Sequence, residues 1–212
     1  MKVVVIGATG FVGKAILKEA SDKGLTVTAI ARDVTMAPAL PNVTAVAADV
    51  NKTEELTAIF KDQDAIISAY NAGWANPNIY DDFIKGSKAI QAAAKAAGVK
   101  RLLVIGGAGS LYIGENQLVD SDEFPKEWKP GATAARDYLS SLRQEKELDW
   151  TFLSPAIELV PGERTGVFRL GLENPVFDEA GKSKISVEDL AVAVVGEILQ
   201  PQHIQKRFTL GY

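Results

Sequence analysis

The sequence predicts an α/β protein with a doubly wound, mostly parallel sheet and a small C-terminal lobe on the substrate side. Three observations predict it. Apolar, β-branched runs alternate with segments of helical spacing as far as Leu153. A glycine-rich turn separates the first run from the first helical segment. After Pro155 the alternation gives way to a segment, 161–184, rich in Gly, Pro and charge.

Lys2 to Ile6 is a continuous β-branched run, as expected of a strand buried on both faces. Phe11 to Lys23 has helical spacing, with Phe11, Ala15, Ile16, Leu17 and Ala20 apolar and Gly24 as a C-terminal stop. Thr26 to Ile30 is the second strand and completes a β-α-β unit. Val43 to Ala47 is a strand, and Asn51 with Glu54 resembles a capping box opening a helix to about Lys61. Ala65 to Ala69 is a strand, Ile79 to Ala97 an Ala-rich helix closed by Gly98, and Arg101 to Ile105 another strand. Ala132 to Glu147 reads as a helix and Trp150 to Leu153 as a strand, with Trp150 in the core. Val167 to Leu170 is a short strand, Ser186 caps a last helix, and Arg207 to Leu210 closes the chain as a strand. No repeat or linker interrupts the chain. It reads as one domain, 1–212, in which 155–212 contributes the substrate-side lobe.

Composition narrows the function. Hydrophobic residues make up 47% of the 212, ample for one core. Net charge is −4, without the concentrated basic surface that nucleic acid requires. The absence of cysteine excludes disulfides and thiolate chemistry. No apolar run reaches the ~18 residues of a membrane helix, and MKVVVIG is not a signal peptide, so a cytoplasmic location is expected. Asp120, Asp122 and Glu123 have no neighbouring His or Cys, so they read as a solvated loop and no metal is expected. The single His203 lies far in sequence from the loops expected to form a site.

The sharpest motif is Gly7-Ala8-Thr9-Gly10-Phe11-Val12-Gly13, between the first strand and the first helix. Gly7 permits the tight turn, Gly10 the close approach of a pyrophosphate, and Gly13 the packing of helix on sheet. The unpaired N–H groups that open the helix attract phosphate. This is the pattern of a Rossmann-type NAD(P)-binding domain. The second strand leads into Arg32-Asp33. An Arg here suits the 2′-phosphate of NADPH, assisted by Thr9, whereas an acid here would read the free ribose hydroxyl of NADH. The Arg favours NADPH, although Asp33 follows it. Asp49 and Val50 stand where an adenine edge would lie, to accept from its amino group and pack on its ring. An Asp leading into a helix is the plainer alternative. Ala69 and Tyr70 end the fourth strand beside the expected crevice, and Pro155-Ala156 follows the sixth.

On the substrate side, Gly106-Gly107-Ala108-Gly109-Ser110 follows the fifth strand. Ser110 is the nearby hydroxyl able to bond a substrate or the nicotinamide carboxamide. Residues 111–130 form a long irregular segment, of a length often functional. It carries Tyr112 and Trp128, on which a planar acceptor could stack. Trp74 is a third such ring.

GATGFVG and Arg32 resemble the atypical short-chain dehydrogenase/reductases. IGGAGSLY (Ile105 to Tyr112), DWTFLSPA (Asp149 to Ala156), ELVPGERTG (Glu158 to Gly166), ISVEDLAVA (Ile185 to Ala193) and RFTLGY (Arg207 to Tyr212) resemble their NADH-flavin reductase-like branch, similar to biliverdin-IXβ/flavin reductase. The resemblance spans nearly the whole chain. It implies NAD(P)H as cofactor, Ser110 near the reacting carbon and Pro155-Ala156 facing the nicotinamide. One departure is informative. Typical members use a Tyr and a Lys four residues later, and none of the five tyrosines here has such a Lys. Alcohol or ketone chemistry needs a positioned proton donor. Reduction of a flavin, quinone or similar planar acceptor needs only alignment. The resemblance implies two alternatives. One is a non-catalytic redox sensor acting through a protein partner. The other is an epimerase or dehydratase, with Tyr70 or Tyr112 in place of the missing Tyr.

Overall fold

A computed structural model describes residues 1–212. The strands are β1 (Lys2–Ile6), β2 (Thr26–Ala31), β3 (Val43–Ala47), β4 (Ala65–Ser68), β5 (Arg101–Ile105), β6 (Tyr112–Ile113), β7 (Asn116–Gln117), β8 (Asp149–Ser154), β9 (Glu158–Val160), β10 (Arg169–Gly171), β11 (Lys184–Ser186) and β12 (Lys206–Gly211). The helices are α1 (Phe11–Asp22), α2 (Thr53–Phe60), α3 (Ile79–Ala96), α4 (Lys129–Leu142) and α5 (Val187–Leu199). The central sheet has eight strands in the order β10-β12-β8-β5-β4-β1-β2-β3. All pairs are parallel except the edge pair β10–β12.

The period-2 geometry of a strand explains why the central runs are apolar throughout. Val3, Val5, Val27, Leu103, Leu153 and Phe208 pack on the face covered by α1 and α5. Val4, Ile6, Ile30, Leu102, Val104 and Phe152 pack on the opposite face, under α2, α3 and α4. Both faces are covered, so both members of an alternating pair are apolar through most of these runs, and buried exceptions such as Arg101 and Thr151 are hydrogen-bonded. The chain winds outward from β1 toward β3 and, in the other direction, from β4 toward β8. The direction reverses between β1 and β4, and this switch opens a crevice beyond the C-terminal ends of the strands.

The C-terminal part joins the same sheet. β12 pairs with β8, and β10 closes the edge. Ser186 caps α5 as expected, accepting from the Asp189 N–H at 3.0 Å. The buried Asp189 carboxylate accepts from the Thr165 hydroxyl, the Gly166 N–H and the Tyr212 hydroxyl at 2.6, 2.7 and 2.9 Å. These bonds seat residues 165–166 on α5.

Three local expectations are corrected. Asn51 does not cap α2. Its own N–H and side-chain amide bond to Asp49 instead, at 2.9 and 3.0 Å, and the helix opens after Lys52. The helix expected from Ala132 begins at Lys129, where Pro130 suits the first turn, and it ends at Leu142 because residues 143–147 turn back toward Trp150. The irregular segment 111–130 contains the small β6–β7 hairpin and is anchored by the buried Leu111 and Val119.

Candidate dinucleotide-binding site

The glycine turn is built as a cradle. Gly7 has φ +78°, and a Cβ there would lie 2.3 Å from the Ala69 carbonyl oxygen. A Cβ on Gly13 would lie 2.1 Å from the Gly7 carbonyl oxygen. Both contacts are with backbone, so no side chain can rotate away, and only glycine fits. The Gly7 and Ala8 N–H groups bond to Ile30, and that of Gly10 bonds to Gly7. The first bond of α1 runs from Lys14 to Gly10. The N–H groups of Thr9, Phe11, Val12 and Gly13 therefore have no partner in the chain, and Gly10 offers no capping side chain. These four donors and the helix dipole fit a pyrophosphate.

A cleft of about 130 Å³ opens beside Tyr70, whose backbone nitrogen would lie 3.3 Å from a Cβ on Gly7. Arg32, Asp49, Val50 and Tyr70 all line it, together with Asn51, Asn71, Ala72, Asn76 and Asp82. Four separately chosen sequence positions thus meet in one place. Arg32 is exposed just beyond β2, and its guanidinium makes no hydrogen bond or ion pair in the chain. Asp33 is differently engaged. Its carboxylate accepts from the Thr35 N–H at 2.9 Å and the Thr35 hydroxyl at 2.7 Å. Those bonds, both to one oxygen, hold it below the usual carboxylate range and leave the other oxygen free. Asp49 is also held below that range, first by the Asn51 N–H, then by the Asn51 side chain and the nearby Lys52 and Arg32 charges. One of its oxygens takes both Asn51 bonds and the other is free.

Tyr70 is half-buried. Its hydroxyl donates to the Asp82 carbonyl at 3.0 Å, and its ring stacks on Phe83 with centroids 6.0 Å apart. Burial, and then the Asp82 charge, push that hydroxyl above its ordinary value. Sequence reasoning missed Asn76 and Asp82 as cleft residues. The signal was the clustering of Asn71, Asn76 and Asn78 around Gly73, a composition that makes side-chain-stabilised turns.

Ser110 is buried. Its hydroxyl contacts the Ser154 hydroxyl at 3.0 Å, the Gly107 carbonyl at 3.1 Å and the Arg207 guanidinium at 3.2 Å. Arg207 also donates to the Ser110 carbonyl at 2.7 Å. Pro155 and Ala156 are buried directly beyond β8, at the crevice end of the sheet. Tyr112 is not brought to the crevice. Its ring lies over Arg207, 5.8 Å from centroid to Cζ. It lines a shallow cavity with Trp150 and Lys206, at the starts of β8 and β12, the opposite end of the sheet from the crevice. The reason is that the chain after Ser110 runs down the face of the sheet, where Glu173 and Asn174 bond to the Tyr112 backbone. Trp128 remains at the crevice end, immediately before α4.

Residues 7–201 match a family model described as NAD(P)H-binding. The chain belongs to this NAD(P)H-binding family. The unpaired amides of the glycine turn are the donor set that a dinucleotide pyrophosphate needs. The uncharacterized protein YwnB of Bacillus subtilis (strain 168) is 39% identical over 215 residues, spanning 99% of this chain and 98% of that protein. A structure from Bacteroides thetaiotaomicron, provisionally assigned as an epimerase, is 45% identical, covers 100% of this chain and 96% of that one, and has a TM-score of 0.92. A structure from Streptococcus pneumoniae, provisionally assigned as an NADH-flavin reductase, is 37% identical, covers 100% and 99%, and has a TM-score of 0.85. No helix is long and apolar enough to cross a membrane.

Proposed function

We propose that this protein is an NADPH-dependent reductase that passes a hydride to a flavin, quinone or similar planar acceptor. The observation that carries the reading is the state of Ser110. The hydroxyl expected beside the nicotinamide is turned inward and engaged by Ser154, Gly107 and Arg207. Tyr70 is committed to Asp82, Tyr112 lies at the far end of the sheet, and no Tyr-Lys pair exists. A carbonyl or sugar substrate needs a proton donor at its reacting atom. A flavin or quinone does not: two electrons and one proton arrive as hydride, and a second proton comes from water.

Bound NADPH would supply the hydride. The chain's own residues bind and orient. The Thr9, Phe11, Val12 and Gly13 amides hold the pyrophosphate, and Arg32 pairs with the 2′-phosphate while one oxygen of Asp33 accepts from Thr35. Val50 and the free oxygen of Asp49 receive the adenine. Ser110, Ser154 and Arg207 act as positioning residues that keep the 106–110 backbone in place beside the nicotinamide.

The test is anaerobic NADPH oxidation with free FMN as acceptor, compared with NADH. Saturable, protein-dependent turnover that prefers NADPH is expected. Tight NADPH binding with no turnover on flavins or quinones would overturn the reductase reading in favour of a redox sensor with a protein partner.

A further inference from the structure

Two tryptophans at the crevice end of the molecule are more than half exposed, Trp74 at 58% and Trp128 at 53%. Trp150, by contrast, is buried and donates its indole N–H to the Glu145 carbonyl. A single exposed aromatic ring needs no explanation. These two come with local costs that stability alone does not account for.

Trp128 occupies the N-cap of α4 and makes no capping hydrogen bond. Ser, Thr, Asp or Asn is strongly preferred there. Gly131 stands in the first turn of the same helix, where alanine would be the better helix former. A Cβ on Gly131 would lie 2.8 Å from the Trp74 ring, so the glycine makes the seat on which that indole rests. Trp74 itself is carried on a braced loop. Gly73 before it has φ +102° and donates its N–H to the Asn71 side chain at 2.7 Å. The Asn76 side-chain amide donates to the Asp82 carboxylate at 2.8 Å, and its side-chain oxygen accepts from the Asn78 N–H at 2.9 Å.

Positions 128, 131, 132 and 135 share one helix face. That face meets the 106–110 loop: a Cβ on Gly109 would touch Ala132, and one on Gly107 would reach Ala135. Trp74 lies against Gly131, and Trp128 stands one turn before it. Neither ring pairs with another aromatic ring of the chain. Both therefore stand at the N-terminal end of α4, the end that meets the 106–110 loop. Residues that break a local rule without a structural gain mark function.

From this arrangement we infer that Trp74 and Trp128 form an aromatic clamp that takes a planar, fused-ring acceptor of isoalloxazine size. The inference rests on the reductase reading and narrows it to the acceptor class. Stacking on an exposed ring is sequence-tolerant and shape-selective. It suits a flat polycycle and gives little to a small aliphatic carbonyl.

The test uses the whole protein, with FMN as probe, and two readouts. FMN titration should quench the exposed indoles in the wild type, and Trp74→Ala or Trp128→Ala should each weaken FMN binding roughly tenfold, as expected for loss of one stacking ring. NADPH affinity reports on folding and should stay within twofold. Trp74→Phe and Trp128→Phe keep a ring and should retain most of the binding. In the turnover assay, the same Ala substitutions should raise KM for FMN and leave kcat within threefold. Unchanged FMN binding in the Trp74→Ala/Trp128→Ala double variant, with NADPH binding intact, overturns the clamp while the reductase reading stands. Indole-dependent FMN binding without NADPH oxidation keeps the clamp and overturns the hydride transfer.

Discussion

Replacing Arg32 with alanine should separate the two dinucleotides. Arg32 is exposed and makes no bond inside the protein, so its removal leaves no buried group unpaired and costs little stability. Its contribution is the pairing with a 2′-phosphate. A hydrogen bond to a charged group is worth about 1.5–3 kcal/mol, and exposure places this one toward the lower half of that range. Taking about 2 kcal/mol, NADPH affinity should fall roughly 30-fold, while NADH affinity stays within about twofold. The Asp49 charge nearby already opposes part of the phosphate, so it does not replace Arg32. The assay is isothermal titration of both dinucleotides with wild type, Arg32→Ala and Asp33→Asn. Asp33→Asn should leave the preference for NADPH in place, because the retained side-chain oxygen can still accept both Thr35 bonds and Arg32 is untouched. The NADPH advantage should also shrink as salt is raised, since it is a surface charge pairing. Equal losses for NADPH and NADH in Arg32→Ala would refute the 2′-phosphate assignment. A switch of preference in Asp33→Asn would refute the reading of its turn.

Gly7→Ala should abolish dinucleotide binding and lower stability by about 2–4 kcal/mol, from a left-handed backbone and a backbone overlap that cannot relax; thermal unfolding and NADPH titration check it. Glu197→Ala should cost about 3–5 kcal/mol in urea denaturation, because it leaves Arg101 buried without its 3.1 Å partner, yet NADPH affinity in the folded protein should be unchanged. Glu145 is held at about 2, since bonds from Glu147, Gln91 and Lys95 outweigh a desolvation effect that raises it. Its folded value lies below its unfolded one, so its contribution is present above about pH 4.5 and is lost as pH falls toward 2. That contribution amounts to roughly 1–3 kcal/mol, and Glu145→Gln should flatten the acid limb of stability by that amount.

The first β-α-β unit and its glycine turn were legible in the sequence because their causes are local. A run apolar at every position, a helical stripe ending at Gly24 and three glycines at fixed spacing each follow from backbone geometry within a few residues. Arg32, Asp49, Val50 and Tyr70 could be chosen one by one for the same reason: each stands at or just beyond a strand end, and strand ends converge on the crevice. The boundaries of α2 and α4 were less legible, because Asp49 captures the Asn51 N–H and side-chain amide and Pro130 suits a first turn that begins upstream.

Long-range pairing decided the rest. No residue pattern says that β12 sits beside β8, or that β10 turns antiparallel at the edge, since those partners lie about 55 and 40 residues apart in sequence. The same packing sets which aromatic rings reach the crevice. Tyr112 is drawn to the far end of the sheet by Glu173 and Asn174, whereas Trp74 is seated on Gly131. Arg207, near the end of the chain, reaches Ser110 across 97 residues and helps turn its hydroxyl inward. The sequence by itself determined the dinucleotide cradle, because a turn needs only its own residues. Only the tertiary structure decided what faces the acceptor, because a crevice wall is assembled from segments that meet only once the sheet has formed.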